Sequence, residues 1–112
     1  MSKETRIILS TLDDQSKAEE IATTLVSERL ASCVNILPRI LSIYRWKGQI
    51  EKEPETLLII KTRGDRVDEV ISRVAEIHPY EVPEVISLPI EKGHQPYLDW
   101  VLAESSAQHS WD

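Results

Sequence analysis

The chain of 112 residues has no phenylalanine, one methionine, one cysteine and only three glycines. A single thiol, Cys33, cannot form an intrachain disulfide, and this favours a reducing, cytoplasmic location. Three glycines do not allow the glycine-rich loops that bind phosphates or dinucleotides. The apolar runs are far shorter than the ~20 residues of a membrane span, and no export signal is visible at the start. We therefore expect a cytoplasmic protein with no membrane partner.

Basic residues are also scarce. The chain has 19 aspartates and glutamates against 13 lysines and arginines, a net charge of −6, and no basic cluster. Nucleic acids and anionic membranes both attract clustered lysine and arginine, so neither is expected as a partner. The length is that of one domain. We expect a single domain over residues 1–112, with a core from about 5 to 104 and a loosely ordered tail over 105–112.

The first helix has the clearest periodicity. Apolar residues recur at spacings of three and four, which predicts one buried face. Asp13 or Asp14 is expected to cap the helix, and Ser16 with Glu19 matches a capping box. The helix is predicted to cover residues 13–32.

The remaining elements follow from alternation and from turn residues. Pro79 disfavours helical geometry at His78, so a second helix is predicted to end there. The predicted strands cover 5–11, 33–46, 49–62 and 83–90, and the later helices cover 64–78 and 93–105. This β-α-β-β-α-β order, followed by a C-terminal helix, predicts an α+β fold: a ferredoxin-like sandwich with an extended β-hairpin.

The hairpin over residues 33–62 is long for its domain. It turns at Lys47-Gly48, and Pro38 and Pro54 inside its arms mark bulges, breaks or edges. An arm of ~14 residues spans ~45 Å, whereas a compact domain of this size has a radius of gyration near ~13 Å. Both faces of the arms are apolar, yet two helices cover only one face. We expect a homo-oligomer in which hairpins pair with neighbouring chains; alternatively, the prolines break the hairpin into shorter strands.

Two blocks of the sequence resemble a known family. They are ERLASCVNILPRILSIYRWKGQIEKEPETLLIIKT, at 28–62, and HPYEVPE, at 78–84. Both resemble the CutA proteins, the divalent-cation tolerance family, and the likeness runs over about 7–102. The resemblance implies a ferredoxin-like subunit, a homotrimer and a likeness to PII signalling proteins. It also implies a role in tolerance to copper and other divalent metals, with no established enzymatic activity.

The resemblance further implies a ligand-binding cleft between subunits. Trp46 and Lys61, one from each arm of the hairpin, are expected to approach it. Tyr80, Glu81 and Glu84 of the HPYEVPE segment are expected to face the same cleft. Trp46 would also serve oligomer packing, so both interpretations stay open.

The prolines of HPYEVPE support a binding role and a structural role equally. Pro79 and Pro83 push the preceding residues toward extended geometry, so the segment is stiff before a ligand arrives. Stiffness lowers the entropy that is lost on binding. A rigid crossover into the last strand would need the same prolines.

Two residues are candidate metal ligands. Cys33 offers a thiolate for soft metals such as copper, or else is a small buried hydrophobe. His78, expected to be the more exposed candidate, could bind a divalent ion with Glu81 or Glu84, or else it caps the helix end. One cysteine cannot make a closed thiolate site within a chain. No cofactor is expected to be obligatory, and copper or another divalent ion is the candidate ligand.

Other polar residues carry weaker signals. Glu51, Glu53 and Glu55 alternate along one strand, which predicts either a solvated face or a site that attracts hard cations. His94 is expected on the surface, and His109 in the tail has no assigned role.

Three functions compete. The first is a trimeric, non-enzymatic protein of metal tolerance that binds a metal ion or small ligand between subunits. The second is a structural trimeric scaffold for partner proteins, with incidental copper binding. The third is an enzyme with Cys33 as nucleophile and His78 as base, but no feature of the sequence places these two together.

Overall fold

The computed structural model describes residues 4–107, so the predictions for His109 and for the end of the tail lie outside the described residues. Its four strands form one antiparallel sheet in the order β2-β3-β1-β4. A short 3₁₀ turn at Gly64–Arg66 precedes the second helix. The elements in chain order are β1 (Thr5–Leu12), α1 (Gln15–Ser27), β2 (Cys33–Trp46), β3 (Gln49–Arg63), α2 (Val67–Ile77), β4 (Ile86–Pro89) and α3 (Gln95–Glu104). The predicted ferredoxin-like order with a C-terminal helix is confirmed.

The start of α1 differs from the predicted capping box. The Asp14 side chain accepts a hydrogen bond from the Lys17 backbone N–H at 3.1 Å, so Asp14 is the N-cap. Ser16 lies inside the helix, two residues after the capping position. Asp14 therefore satisfies one of the N–H groups that a helix start leaves unpaired.

The end of α1 was predicted about five residues too late. Arg29 adopts a left-handed φ of 60°, and its N–H donates to the Val26 carbonyl. The N–H of Leu30 reaches back to the Leu25 carbonyl at 2.9 Å, which completes a Schellman motif. Glycine usually occupies the left-handed position of this motif, so an arginine there gives the sequence no stop signal.

The core lies between one face of the sheet and the helices α1 and α2. Its large, fully buried side chains belong to four elements: Ile8 and Leu12 of β1, Ile21 and Leu25 of α1, Leu58 and Ile60 of β3, and Val70 and Val74 of α2. α2 ends at Ile77, and His78 is already extended with ψ of 140°. The predicted stop before Pro79 is confirmed.

The hairpin is continuous and projects from the body. Trp46 pairs with Gln49 across Lys47 and Gly48, which both have positive φ, the geometry of a type I′ turn. A register shift between Leu37 and Ile40 confirms a bulge at Pro38. The longest dimension of the chain is 47 Å, against 26 and 22 Å across. The alternative in which the prolines break the hairpin into folded-back strands is wrong.

Large apolar side chains on the hairpin face solvent in the single chain. Leu41 is 65% exposed, Ile43 60% and Ile50 65%. β2 is also an edge strand of the sheet, so one row of its backbone groups has no strand partner within residues 4–107. No helix in this range is long and apolar enough to cross a membrane.

Candidate functional site

The segment after α2 is attached to the hairpin by one hydrogen bond. The Tyr80 hydroxyl donates to Glu55 Oε2 at 2.5 Å. Glu55 is only 7% exposed, and Tyr80 packs against the core. Burial and this hydrogen bond raise the pKa of Tyr80 well above its usual range, so the hydroxyl keeps its proton at neutral pH.

His78 is buried, which contradicts its expected exposure. It is 8% exposed, and its Nε2 lies 2.8 Å from the Thr11 carbonyl oxygen. Its Nδ1 accepts a hydrogen bond from the Tyr80 backbone N–H at 3.0 Å. These contacts assign the proton to Nε2, which donates to Thr11, and leave neither ring nitrogen free. His78 therefore orders the start of the HPYEVPE segment, and as a metal ligand it would first have to break one of these hydrogen bonds.

A pocket of about 600 Å³ opens between the HPYEVPE segment and the outer part of the hairpin. Three aromatic side chains line it, together with polar and apolar groups from β1, β2 and the segment itself. Its size is typical of a small-molecule site. Four of the five predicted cleft residues line this pocket: Trp46, Tyr80, Glu81 and Glu84.

The pocket is strongly acidic. Five carboxylates line it, and no lysine, arginine or histidine within residues 4–107 does: Asp13, Glu53, Glu55, Glu81 and Glu84. Burial raises the pKa of the lining Tyr44 phenol, and the neighbouring charges of Glu53, Glu55 and Glu51 raise it further. A pocket with this charge attracts cations and repels anions.

Lys61 lies elsewhere in the single chain. It pairs with Cys33 of β2 and with Ile7 of β1, and its Nζ lies 3.4 Å from the Tyr97 hydroxyl. The pocket touches β1 at Thr11, four residues from Ile7 or about 13 Å along the strand. The expected cleft between subunits involves other copies of the chain, so a shared site for Lys61 and Trp46 stays a prediction.

Cys33 is half-buried at the start of β2, and its thiol lies 3.8 Å from Asn35 Oδ1. The spacing along β1 separates it from His78, because Cys33 is level with Ile7 and His78 contacts Thr11. The two candidate metal ligands are therefore not brought together within one chain. Among the described residues, no group of three or more His, Cys, Asp or Glu side chains is arranged to hold a metal ion.

Sequence reasoning missed part of the pocket. Glu53 and Glu55 carried a signal, the alternation of EKEPE, but Glu55 is buried rather than solvated. Tyr44 stands two residues before Trp46, a spacing that puts both side chains on one strand face. Asp13 gave no signal as a lining residue, since only the path of the loop between β1 and α1 brings it to the pocket.

Comparisons with known sequences match nearly all of the described residues to one family. The profile described as CutA1 divalent ion tolerance protein matches residues 6–104. The chain is 53% identical over 91 residues to the CutA homolog of Xenopus laevis, a match that covers 81% of this chain and 60% of that protein. It is 45% identical over 95 residues to the divalent-cation tolerance protein CutA of Thermus thermophilus, covering 85% of this chain and 92% of that protein.

The animal relatives are longer proteins. The chain spans 60% of the Xenopus laevis protein and 51% of protein CutA from Homo sapiens, to which it is 50% identical over 91 residues. The likeness therefore covers about half of each animal protein.

Solved structures agree with the sequence comparisons. The divalent cation tolerance protein of Thermus thermophilus superposes with a TM-score of 0.88 at 42% identity, covering 91% of this chain and 99% of that one. CutA of Xylella fastidiosa superposes with a TM-score of 0.89 at 42% identity, covering 92% and 99%. With the profile match over residues 6–104 and the shared βαββαβ fold, the chain belongs to the CutA1 divalent ion tolerance protein family.

Proposed function

We propose that the chain forms a homotrimer that supports tolerance to copper and other divalent metal ions without catalysing a reaction. It binds a metal ion or a small ligand at clefts between subunits, and the bound state is relayed to other proteins in the manner of PII signalling proteins. The observation that carries this proposal is the acidic pocket beside the exposed part of the hairpin, because its five carboxylates have no basic lining residue within residues 4–107.

The hairpin supports the trimer. Its outer part leaves Leu41, Ile43 and Ile50 at least 60% exposed, a surface that neighbouring chains would bury. An unpaired edge strand favours pairing with another copy, and closed symmetric assembly removes the hazard of open-ended aggregation. The same part of the hairpin lines the acidic pocket, so assembly would bring a neighbouring chain close to the pocket.

The non-enzymatic part of the proposal depends on the site chemistry. Cys33 of β2 is level with Ile7 of β1, whereas His78 contacts Thr11, four residues further along the same strand. The two side chains therefore do not form a nucleophile and its base within one chain. A cytoplasmic location belongs to the same proposal and is supported by the single cysteine. Other locations stand in the names of some relatives, such as the chloroplastic proteins of Oryza sativa and Arabidopsis thaliana and the periplasmic protein of Archaeoglobus fulgidus.

A trimeric scaffold for partner proteins, with weak incidental copper binding, is the second candidate. The exposed apolar side chains of β4 favour it, because Ile86 is 49% and Leu88 45% exposed on a face that α1 and α2 do not cover. Partner binding there would leave the acidic pocket without a role.

Calorimetry with Cu(II) and Zn(II) tests the metal part of the proposal. The wild type is compared with Cys33→Ala and His78→Ala, each checked for its mass by light scattering. Loss of metal binding only in His78→Ala would support a site beside the HPYEVPE segment. Equally tight metal binding by the wild type and both variants would assign the metal to the carboxylates. Binding weaker than ~100 μM in all three would contradict direct metal sensing.

A further inference from the structure

We infer that the projecting hairpin joins the subunits through its two faces, with the basic face of one copy packed on the acidic face of the next. The inference rests on the proposed function, because it takes the homotrimer from there and names the surfaces that meet. It depends on the opposite charges of the two faces, on the lack of ion pairs along the hairpin, and on the way a three-fold ring closes.

The strand register separates the side chains of the outer hairpin into two faces. Directly paired residues of antiparallel strands project to the same side, and successive residues project to opposite sides. The basic face consists of Leu41, Ile43, Arg45, Ile50, Lys52 and Pro54. The acidic face includes Ser42, Tyr44, Trp46, Glu51, Glu53 and Glu55. One ribbon therefore carries two cations on one side and three carboxylates on the other.

The charges of the outer hairpin find no ion-pair partner in their own chain. Within residues 4–107, Arg45 and Lys52 form no ion pair, and neither do Glu51 and Glu53. The arginines outside residues 33–62 behave differently, because each has a nitrogen 2.8–3.8 Å from a carboxylate oxygen: Arg6, Arg29, Arg63, Arg66 and Arg73. The two sets of hairpin charges lie on opposite sides of one ribbon, so only another molecule can bring them together.

A three-fold ring requires two different surfaces on each chain. Its contacts are heterologous, so one surface of a chain meets another surface of the next copy. The two faces of the hairpin meet this requirement, since their charges are opposite and both project beyond the body of the domain. A two-fold contact of one face with itself would instead oppose like charges.

The apolar parts of the two faces complement each other as well. Leu41, Ile43 and Ile50 of the basic face are at least 60% exposed in the single chain. Trp46 on the acidic face is 43% exposed, and a guanidinium such as that of Arg45 stacks well on an indole ring. Packing the faces together would bury this surface and pair the charges in the same contact.

The pairing deepens the account of the acidic pocket. Five of the six hairpin residues that line the pocket belong to the acidic face. The next copy would therefore close the hairpin side of the pocket and neutralise Glu53. Asp13, Glu81 and Glu84 come from outside the hairpin, and their carboxylates remain for the ligand of the proposed function.

Reversing the charge of each face tests the inference. Arg45→Glu with Lys52→Glu makes the basic face acidic, and Glu51→Lys with Glu53→Lys makes the acidic face basic. Either pair opposes like charges in every seam, so we expect subunit affinity to fall at least ~tenfold. The chain with all four substitutions has opposite charges facing each other again, and its affinity should return to within about threefold of the wild type. The losses should shrink at ~1 M salt, which screens the charges.

Light scattering on dilution measures the assembly of the full chain. Exchange of subunits with isotope-labelled wild type, followed by native mass spectrometry, measures trimers that do not dissociate on dilution. Glu19→Lys with Asp68→Lys is the matched control, because it makes the same change of charge at exposed positions of α1 and α2. The control should keep wild-type affinity and exchange within twofold, with the fold of all variants checked by circular dichroism.

The outcomes separate the inference from the proposed trimer. A trimeric wild type whose two-residue variants assemble and exchange normally would overturn the pairing of faces alone. The same holds if the four-residue variant assembles no better than the two-residue variants. A wild type that is monomeric at micromolar concentration would reject the trimer, and with it the inference.

Discussion

The Tyr80 hydroxyl and the Glu55 carboxylate, 25 residues apart in the chain, are joined by a hydrogen bond of 2.5 Å. The bond ties the segment after α2 to an arm of the hairpin, and both residues line the acidic pocket. His78 holds the same segment from the other side, through the Tyr80 backbone N–H and the Thr11 carbonyl. The pocket wall is therefore set by hydrogen bonds as well as by the two prolines.

Replacing Tyr80 with phenylalanine should destabilise the chain. The change removes the hydroxyl that satisfies a buried carboxylate oxygen, and such losses cost about 1–3 kcal/mol. Urea denaturation of Tyr80→Phe and of Tyr97→Phe measures the difference. Tyr97 is an exposed tyrosine, and within residues 4–107 its hydroxyl hydrogen-bonds only to the Lys61 ammonium, so loss of the hydroxyl should cost under ~0.5 kcal/mol. Equal stability of the two variants would show that the bond to Glu55 contributes nothing.

Alkaline pH should weaken the fold through the same tyrosine. Burial and the Glu55 hydrogen bond raise the pKa of Tyr80 above its ordinary value of 10.0, so the folded chain keeps a proton that the unfolded chain loses. This contribution is fully present below pH 10, and the free energy of unfolding falls as the pH rises above that value. Denaturation curves from pH 8 to 11 measure the slope, which should be shallower in Tyr80→Phe than in the wild type. Identical slopes would contradict the raised pKa.

The proposed trimer predicts the effect of a charge on the hairpin. Leu41 is 65% exposed in the single chain, and Leu41→Asp would place a carboxylate in each seam between subunits. We expect subunit affinity to fall at least ~tenfold, because a buried leucine contributes about 1.5–3 kcal/mol. Light scattering should give three times 12.8 kDa for the wild type and lower masses for the variant on dilution. Val26→Asp, at an exposed valine of α1, is the control, and a wild type that is monomeric at micromolar concentration would refute the trimer.

Substitutions at Asp14 and Ser16 test which of these two residues caps the start of α1. Asp14→Ala removes the acceptor of the Lys17 N–H and should cost about 0.5–2 kcal/mol. Ser16→Ala changes an exposed position inside the first turn and should change the free energy of unfolding by less than ~0.5 kcal/mol. Thermal and urea denaturation of both variants measure the difference, and a larger loss in Ser16→Ala would favour the capping box.

The strands and their order could be predicted because their signals are local. β2 was predicted over 33–46 and is Cys33–Trp46, and β3 was predicted over 49–62 and is Gln49–Arg63. Alternating apolar residues and the Lys47-Gly48 turn determine this register within a short stretch of chain. The end of α1 was missed, since Arg29 takes the left-handed conformation only through bonds and contacts formed in the folded chain.

The candidate site was only partly predictable, for a related reason. Trp46, Tyr80, Glu81 and Glu84 were expected together and line one pocket, whereas the exposure of His78 was mispredicted. A histidine before proline at a helix end is expected at the surface. Here the neighbouring β1 carbonyl and the following backbone N–H take both ring nitrogens.

The amino-acid order alone determined the element sequence, the long hairpin and the stiff HPYEVPE segment, because each depends on neighbours within a few residues. The tertiary structure alone decided that Glu55 is buried against Tyr80, that Asp13 faces the same pocket and that Lys61 lies beside Tyr97. Those relationships join residues far apart in the chain. They depend on how the hairpin twists and on where the loops cross the sheet, and no local pattern of side chains encodes either.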